Sequence, residues 1–289
     1  MDINWFPGHM AKTLRELKDH LKLVDLVIET CDARIPESSR NPELHRLLGQ
    51  KPRLLVLNKA DLADPAETQR WIAWYKQAGI TAIACDSTRR SGLPEIVTAA
   101  LAITQHKTDS AMAKGRLFRA TRVLVVGIPN TGKSTLINAL SGRKIAKTAD
   151  RPGVTRQTCW IRTGGKIELM DSPGVLWPKL GDSLTQLRLA ATGAIRDDLL
   201  PIEEIAAGSL LLLSANYPEL IRTRYKLIDL NLSGDELLLQ AARLRGCLLP
   251  GGKYDTLRFS ILFLDEMRGG KIGRISLERP PVIGKALQA

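Results

Sequence analysis

The feature that most constrains the fold is a glycine-bearing segment of eight residues that joins a short apolar run to an amphipathic stretch. Gly127–Ser134 has the sequence Gly-Ile-Pro-Asn-Thr-Gly-Lys-Ser and fits the pattern GxxxxGK[ST]. The run Arg122–Val126 before it predicts a strand, and Lys133–Leu140 behind it predicts a helix. A strand, a turn and a helix N-terminus in this order direct backbone N–H groups and the helix dipole at an anion. The segment therefore predicts a phosphate-binding loop on an α/β sheet.

The side chains of this loop divide into phosphate ligands and a metal ligand. Lys133 is expected to reach the β- and γ-phosphates of a nucleotide, and the Ser134 hydroxyl is expected to bind Mg²⁺. Both residues are therefore predicted to contact the nucleotide. The other contacts predicted for this segment are Asn130, Thr131, Gly132 and Thr135.

A second motif predicts which base the nucleotide carries. Asn58–Asp61 has the sequence Asn-Lys-Ala-Asp, fits the pattern NKxD and follows the predicted strand Arg53–Leu57. The Asp61 carboxylate can accept hydrogen bonds from the N1–H and the 2-amino group of guanine, whereas adenine offers neither donor there. Lys59 can lie along the purine ring. The sequence therefore predicts GTP rather than ATP, with Asn58, Lys59 and Asp61 in contact with it.

Two further segments extend the predicted site. Asp171–Gly174 fits the pattern DxxG and follows a predicted strand, so Asp171 is expected to bind Mg²⁺ through water. The Gly174 N–H is expected to meet the γ-phosphate. A second loop near the base is predicted at 85–87, with Asp86 and Ser87 as its nucleotide contacts.

A switch threonine is expected between the phosphate loop and DxxG. The segment Pro152–Thr155 has the sequence Pro-Gly-Val-Thr, and the hydroxyl and carbonyl of Thr155 are expected to complete the metal shell when the γ-phosphate is present. Thr148 and Thr158 are the alternatives for this role.

The order of these motifs is unusual. The NKxD motif at 58–61 precedes the phosphate loop at 127–134, whereas an ordinary GTPase has it after DxxG. The same sheet can form if the usual chain ends are joined and new ends open after DxxG, which proteins tolerate where termini lie close together. The sequence therefore predicts a circular permutation in which the segment after DxxG leads into the C-terminal region.

Apolar runs alternate with amphipathic stretches as far as about residue 175, which is typical of a doubly wound, mainly parallel sheet. From about residue 182 the pattern becomes helical. We therefore expect a circularly permuted P-loop GTPase domain at 1–178, with an N-terminal tail at 1–10, and a smaller all-helical domain at 182–289. The predicted strands are Val24–Glu29, Arg53–Leu57, Thr81–Cys85, Arg122–Val126 and Lys166–Met170. The predicted helices are Ala11–Leu21, Pro42–Leu48, Ala66–Gln77, Leu93–Thr104, Lys133–Leu140, Glu203–Leu213, Glu219–Leu227, Asp235–Arg245 and Asp255–Arg268.

The charge balance points to a polyanionic partner. The formal net charge is +12, and most of it lies between residues 105 and 170, around the phosphate loop. Such a balance favours nucleic acid or an anionic membrane surface without choosing between them. No apolar stretch approaches the roughly 18 residues of a membrane-spanning helix. The four cysteines are scattered singly, which is typical of thiols in a reducing compartment, and we expect a cytoplasmic protein.

Taken together, these motifs resemble the circularly permuted GTPases, specifically the ribosome biogenesis GTPase A family. The resemblance also covers Trp5–Met10, the segments Asp32–Pro36 and Ser38–Pro42, and a C-terminal stretch from Gly251 to Arg274. It implies a GTP-hydrolysing switch in the maturation of the large ribosomal subunit. It also implies GTP and GDP, pre-ribosomal particles, rRNA and ribosomal proteins as partners, a helical domain that binds RNA, and a monomer when free. Within such a site Lys133, Thr155 and Gly174 belong to the catalytic machinery.

Two residues gain roles through this resemblance. Val175 follows DxxG where many GTPases place a glutamine, and the family's N-terminal histidine, here His9, is implied as the group that orients the attacking water. The alternative is a surface or RNA-contacting histidine. Asn130 is implied as a K⁺ ligand beside the phosphates, and the alternative is a turn-forming asparagine after Pro129.

A different class of function remains open from the sequence. An RNA-binding adaptor with a mainly structural GTP site would carry the same basic segments. The complete phosphate, metal and base motifs favour the enzyme, with Mg²⁺ and K⁺ as its expected cofactors.

Overall fold

Secondary structure follows the alternation of apolar runs and amphipathic stretches along the chain. The computed structural model describes residues 10–115, 119–143, 160–163, 165–174, 176–177 and 180–281. The strands are β1 (Leu26–Asp32), β2 (Arg53–Asn58), β3 (Ala82–Cys85), β4 (Thr121–Val126), β5 (Trp160–Thr163) and β6 (Ile167–Asp171). The helices are α1 (Met10–Leu23), α2 (Pro42–Leu48), α3 (Pro65–Gln77), α4 (Leu93–Ala113), α5 (Lys133–Ser141), α6 (Ser183–Ala191), α7 (Ile202–Asn216), α8 (Pro218–Tyr225), α9 (Gly234–Leu244) and α10 (Thr256–Arg268), with a 3-10 turn at Asp197–Leu199.

Local sequence explains where several helices begin. Asn41 caps α2, since its side-chain oxygen accepts from the backbone N–H groups of the first turn, and a proline occupies the first helical position. Asp64 caps α3 in the same way. At α9 the Ser233 and Glu236 side chains cap each other's backbone N–H groups, which is the capping box that their spacing predicts.

Within the described residues, six strands form one sheet in the order β3-β2-β1-β4-β6-β5. Every neighbouring pair is parallel except β5 and β6, which run antiparallel. The chain adds strands to one side of β1 and then crosses to β4 on its other side. Parallel sheets bind ligands in the crevice at the carboxyl ends of strands where the winding reverses in this way. This reversal lies between β1 and β4, and the phosphate loop follows β4. The predicted doubly wound fold is confirmed.

The sequence prediction missed two elements and ended a third too early. β5 was not predicted because it has only four residues, alternates exposed and buried positions, and lies at the sheet edge. α6 was not predicted because it begins directly after the Pro178–Gly181 segment, whose composition indicates a linker. α4 also continues to Ala113, well past the predicted end at Thr104, through a polar stretch without apolar periodicity.

The sheet is buried on both faces. Along β1, Leu26 and Ile28 pack into one apolar cluster with α4 and α5, while Val27 packs into another with α1 and α2. A third cluster joins the ends of β1 and β2 to Trp71 and Tyr75 on α3. Each buried Val, Leu or Ile contributes about 1.5–3 kcal/mol relative to an exposed one. The sheet is therefore a fixed platform for the loops at its carboxyl edge.

The described residues group into two compact units. One is the helical unit Leu180–Leu277, and the other is the sheet unit, which contains the described residues before Leu180 together with Glu278 and those after it. The domain ranges 1–178 and 182–289 stay a prediction. Among the helices that the structure describes, none combines the length and apolar composition that a membrane crossing needs.

Glu278 anchors the chain where it leaves the helical unit and rejoins the sheet unit. Its carboxylate accepts hydrogen bonds from the backbone N–H groups of Glu37 and Ser38 and from the Ser38 hydroxyl. Its backbone carbonyl accepts from the Trp71 indole N–H at 3.3 Å. Charged acceptors of backbone N–H groups are among the stronger hydrogen bonds in proteins. Glu278 therefore fixes the C-terminal segment of the sheet unit to the loop at 36–40 and to α3.

We expect Glu278→Ala to release the loop at 36–40. Loss of a charged acceptor from buried donors costs about 1.5–3 kcal/mol, so the amides of Glu37 and Ser38 should exchange about tenfold faster or more. The measurement is hydrogen–deuterium exchange of peptides that cover this loop. Glu95→Ala, which removes an exposed glutamate of the same unit, is the matched control. Equal exchange in the two variants would contradict the anchor.

Candidate nucleotide-binding site

The phosphate loop has the geometry that its motif predicts. It connects the end of β4 to α5, and Gly132 caps α5 in the left-handed conformation with φ +85°. Lys133 is buried at the first position of α5, and its ammonium donates to the Ile128 carbonyl at 3.0 Å. The Thr131 hydroxyl donates to the same carbonyl at 3.0 Å. The loop is thus closed around its own backbone at a helix N-terminus, where anions bind.

The electrostatics of Lys133 suit an anionic ligand. Burial lowers its pKa to about 8, while the nearby Asp171 carboxylate opposes this change. A buried ammonium is stabilised by any negative group that enters the site. Lys133 therefore provides a buried cation whose desolvation a bound phosphate would compensate.

Asn58 joins the NKxD segment directly to the phosphate loop. Its side-chain N–H donates to the Thr131 carbonyl at 2.9 Å. Its side-chain oxygen accepts from the Ser87 hydroxyl at 2.7 Å and from the Ser87 N–H at 3.2 Å. Three loops that are far apart in the chain are thus connected by one buried amide. The structure thus brings NKxD, the loop at 85–87 and the phosphate loop together at one edge of the sheet.

The other base-side residues lie on the same edge of the sheet. Lys59 has a left-handed backbone with φ +59°, and Asp61 is half-buried two residues later. Asp86 is buried, and its carboxylate accepts from the backbone N–H groups of Thr88 and Arg89, so it shapes its own turn. Asp86 therefore supports the loop that presents Ser87.

The DxxG segment lies against the phosphate loop. Asp171 ends β6, where its register partner on β4 is Val125, and the Ser172 hydroxyl donates to the Val125 carbonyl at 2.7 Å. A Cβ added at Gly174 would lie 2.9 Å from the Lys133 Nζ and 3.0 Å from the Pro129 backbone nitrogen. A side chain at this position would be crowded against the Pro129 backbone. The backbone of Gly174 and the Lys133 ammonium therefore converge on one place.

The remaining predicted residues are distributed as follows. Ser134 and Thr135 are half-buried in the first turn of α5. Asn130 is half-buried in the loop with a left-handed φ of +61°. The predictions for His9, Thr155 and Val175 lie outside the described residues.

Thr30 is a member of the site that sequence reasoning missed. Its hydroxyl donates to the Val126 carbonyl at 3.1 Å and lies 2.8 Å from the Thr131 hydroxyl. Thr30 sits near the end of β1, and the signal that marks it is a polar residue within a buried strand. It fixes β1 against the start of the phosphate loop.

Comparison with known proteins identifies the family. The model of the 50S ribosome-binding GTPase family matches residues 122–231, a range that begins in β4 and omits NKxD. Ribosome biogenesis GTPase A of Bacillus cereus is 47% identical over 288 residues, covering all of this chain and 97% of that protein. The chain belongs to the ribosome biogenesis GTPase A family. Its members are circularly permuted GTPases, and the resemblance inferred from the sequence is confirmed.

Other relatives support the assignment to this GTPase family. Mitochondrial ribosome-associated GTPase 1 of Xenopus tropicalis is 39% identical over 217 residues, covering 72% of this chain and 68% of that protein. The GNP-bound structure of YlqF from T. maritima has a TM-score of 0.65 and 27% identity, covering 93% of this chain and 99% of that one. The likeness therefore extends over both units and the permuted order of the motifs.

Two glycine variants test the contact between Asn58 and the phosphate loop. Gly132→Ala places a Cβ 2.2 Å from the Asn58 Nδ2, whereas in the described part of the chain no heavy atom lies within 4 Å of the Cβ that Gly142→Ala would add. Both glycines have left-handed backbones, so each variant should lose about 1–2 kcal/mol of unfolding free energy. Gly132→Ala should lose about 1–3 kcal/mol more, because it displaces a buried amide from its partners.

Urea unfolding of both variants measures this difference. Equal losses would mean that Asn58 does not hold the two loops together.

Proposed function

We propose that this chain is a GTP-hydrolysing switch in the assembly of the large ribosomal subunit, and that it binds pre-ribosomal particles and rRNA in a nucleotide-dependent way. The observation that carries the proposal is the contact between Asn58 and Thr131, which unites a guanine motif and a phosphate loop in one site. The ribosomal names of the relatives agree with it. We place its action in the cytoplasm and expect a monomer when it is free of the subunit.

The NKxD loop after β2 selects guanine in this proposal. In our proposal Asp61 accepts the two guanine N–H donors, and the stem of Lys59 lies along the purine. Asn58 and Ser87 keep the two base loops together, with Asp86 shaping the second. An adenine nucleotide would leave the Asp61 carboxylate without these partners, which lowers its affinity.

The phosphates are assigned to the loop after β4. Lys133 is proposed to bind the β- and γ-phosphate oxygens, and the backbone N–H groups from Asn130 to Thr135 surround the phosphates at the start of α5. The Gly174 N–H is proposed to meet the γ-phosphate, which makes the DxxG segment sensitive to its loss. Segments ordered by a γ-phosphate and released on hydrolysis are a common basis of GTPase switching. In this chain that segment leads into the helical unit.

The donor set at this edge fits Mg²⁺. Asp171 offers a buried carboxylate at the end of β6, and Ser134 offers a hydroxyl in the first turn of α5. Both are hard oxygen donors, and Mg²⁺ sites in such enzymes combine one or two of these with phosphate oxygens. When bound, Mg²⁺ neutralises charge on the phosphates. Asn130 has an amide oxygen in the same loop, and we assign it to K⁺.

Two catalytic assignments rest on residues outside the described ranges. We propose His9 as the group that orients the attacking water, since Val175 has no polar atom in its side chain. We propose Thr155 as the threonine that senses the γ-phosphate and completes the Mg²⁺ shell.

The helical unit is proposed to bind RNA through exposed basic side chains. Arg243, Lys253, Arg258, Lys271 and Arg274 are exposed. Arg245 serves the unit itself, because it pairs with Glu266 at 3.1 Å and stacks on Tyr225. We therefore propose that the five exposed residues, rather than Arg245, contact RNA.

The main test is GTP hydrolysis measured against the concentration of purified large ribosomal subunits, in K⁺ and in Na⁺. We expect turnover to rise with subunit concentration and to be faster in K⁺. Lys133→Ala should abolish it, because the phosphates lose their buried cation, while Lys166→Ala, which removes an exposed lysine of the same unit, should not. GTP turnover that does not change with subunit concentration would favour an RNA-binding adaptor with a structural GTP site.

Salt dependence tests the RNA surface. The double variant Arg243→Ala/Lys271→Ala should weaken subunit binding and reduce the slope of log K against log salt by about 1 for each lost phosphate contact. Lys76→Ala, an exposed lysine of the sheet unit, is the matched control. If the slope of log K against log salt is the same in the double variant, the helical unit contacts ribosomal protein rather than RNA through this surface.

A further inference from the structure

The carboxyl end of β1 carries a buried ion pair beside the guanine loop. The Arg34 Nε donates to the Asp32 Oδ1 at 2.9 Å, and the Arg34 Nη2 donates to the Asp32 Oδ2 at 2.7 Å. The two side chains are only 1% and 3% exposed. The same Asp32 Oδ2 lies 3.1 Å from the Lys59 Nζ. Asp32 thus joins the loop after β1 to the second residue of NKxD.

A need for stability alone does not explain charges at this place. Transfer of an ion from water to a protein interior costs several kcal/mol, and apolar replacements of a buried ion pair are often as stable or more stable. The neighbouring positions of β1 are buried and mostly apolar. The buried Asp32 and Arg34 therefore indicate a functional role that requires charge and a fixed geometry.

The buried pair stays ionised. Burial raises the pKa of Asp32, but Arg34 and Lys59 together hold that pKa well below its usual range. Burial likewise lowers the pKa of Arg34, and the Asp32 carboxylate is the main group that raises it above its ordinary value. Arg34 therefore compensates the charge of the Asp32 carboxylate, which in turn contacts Lys59.

The backbone of the guanine loop is held from two neighbouring strands. The Ala33 N–H donates to the Asn58 carbonyl at 2.8 Å, and the Ala60 N–H donates to the Cys85 carbonyl at 3.0 Å. Lys59 lies between these bonds in a left-handed conformation that costs a residue with a side chain about 1–2 kcal/mol. Its side chain is 26% exposed, and its ammonium is paired with the Asp32 carboxylate.

We propose that Asp32 and Arg34 are positioning residues for guanine selection. Asp32 fixes the Lys59 side chain at the edge of the base pocket, and Arg34 holds the Asp32 carboxylate in place with two hydrogen bonds. The loop that carries Asp61 two residues later thereby keeps the conformation that two guanine donors require. Preorganised groups discriminate between ligands better than groups that must be ordered on binding. The inference rests on the proposed function, in which Asp61 binds the guanine base.

The test compares GDP with IDP, which lacks only the 2-amino group. We expect Asp32→Asn, which keeps the shape and removes the charge, to lower the ratio of GDP to IDP affinity about tenfold. Release of Lys59 from Asp32 frees the loop, and Asp61, displaced two residues later, loses the second hydrogen bond. Isothermal titration calorimetry gives both affinities. GTP turnover at saturating substrate should change less than about twofold, because the phosphate site is untouched. A general folding defect would weaken both nucleotides alike and leave the ratio unchanged.

Two further variants make the outcome decisive. Glu29→Gln is the matched control, because Glu29 is another buried acid on β1 that faces Arg40 at 3.5 Å, and it should keep the ratio. Arg34→Lys keeps the positive charge but removes the guanidinium that makes two hydrogen bonds to Asp32. It should lower the affinity ratio as Asp32→Asn does. This variant therefore tests the inference even if Asp32→Asn fails to fold. An unchanged ratio in these variants would overturn the inference and leave the proposed function standing. A ratio near one in the unsubstituted protein would instead overturn the assignment of Asp61 to guanine.

Discussion

The hydrogen bonds of the Asn58 side-chain amide are the interaction on which the site depends. One amide group supplies a donor to the phosphate loop and an acceptor to the loop at 85–87, and the residue is 2% exposed. A buried amide that loses one partner retains the full desolvation penalty of the freed atom. Separation of the three loops would therefore cost free energy, because it would leave a buried amide atom without a partner. Any nucleotide that bridges base and phosphate loops binds an arrangement that already exists.

Sheet geometry explains why the permuted order of motifs does not matter. Parallel strands deliver their carboxyl ends to one edge whatever their order along the chain. β1, β2, β4 and β6 meet there, so the segments that follow them become neighbours in space. What the permutation changes is connectivity, because the chain enters the helical unit directly after DxxG and returns at Glu278. The hydrogen bonds of Glu278 then fix the returning chain to the loop at 36–40 and to α3 of the sheet unit.

The parts of the site that the sequence predicted are those encoded in short motifs. The phosphate loop, NKxD and DxxG each hold their chemistry within eight residues, and the fold follows from buried parallel strands. Thr30 and Glu278 could not be predicted, because their partners lie 96 and 240 residues away in the chain. The segment Asp32–Pro36 was part of the family resemblance, but only the structure shows that Asp32 pairs with Arg34 and contacts Lys59. Short sequence motifs therefore predict the loops of the site, whereas the long-range contacts that hold these loops in place are seen only in the structure.

The central claim is that one preformed site selects a guanine nucleotide. The most direct measurement is calorimetric titration of the unsubstituted protein with GDP and with ADP in the same buffer with Mg²⁺. The two ligands have the same phosphates, so the comparison isolates the base. Sites built to hydrogen-bond a ligand reject an analogue without those groups by large factors, and we expect ADP to bind at least about 10³-fold more weakly than GDP. Equal affinities would contradict the account.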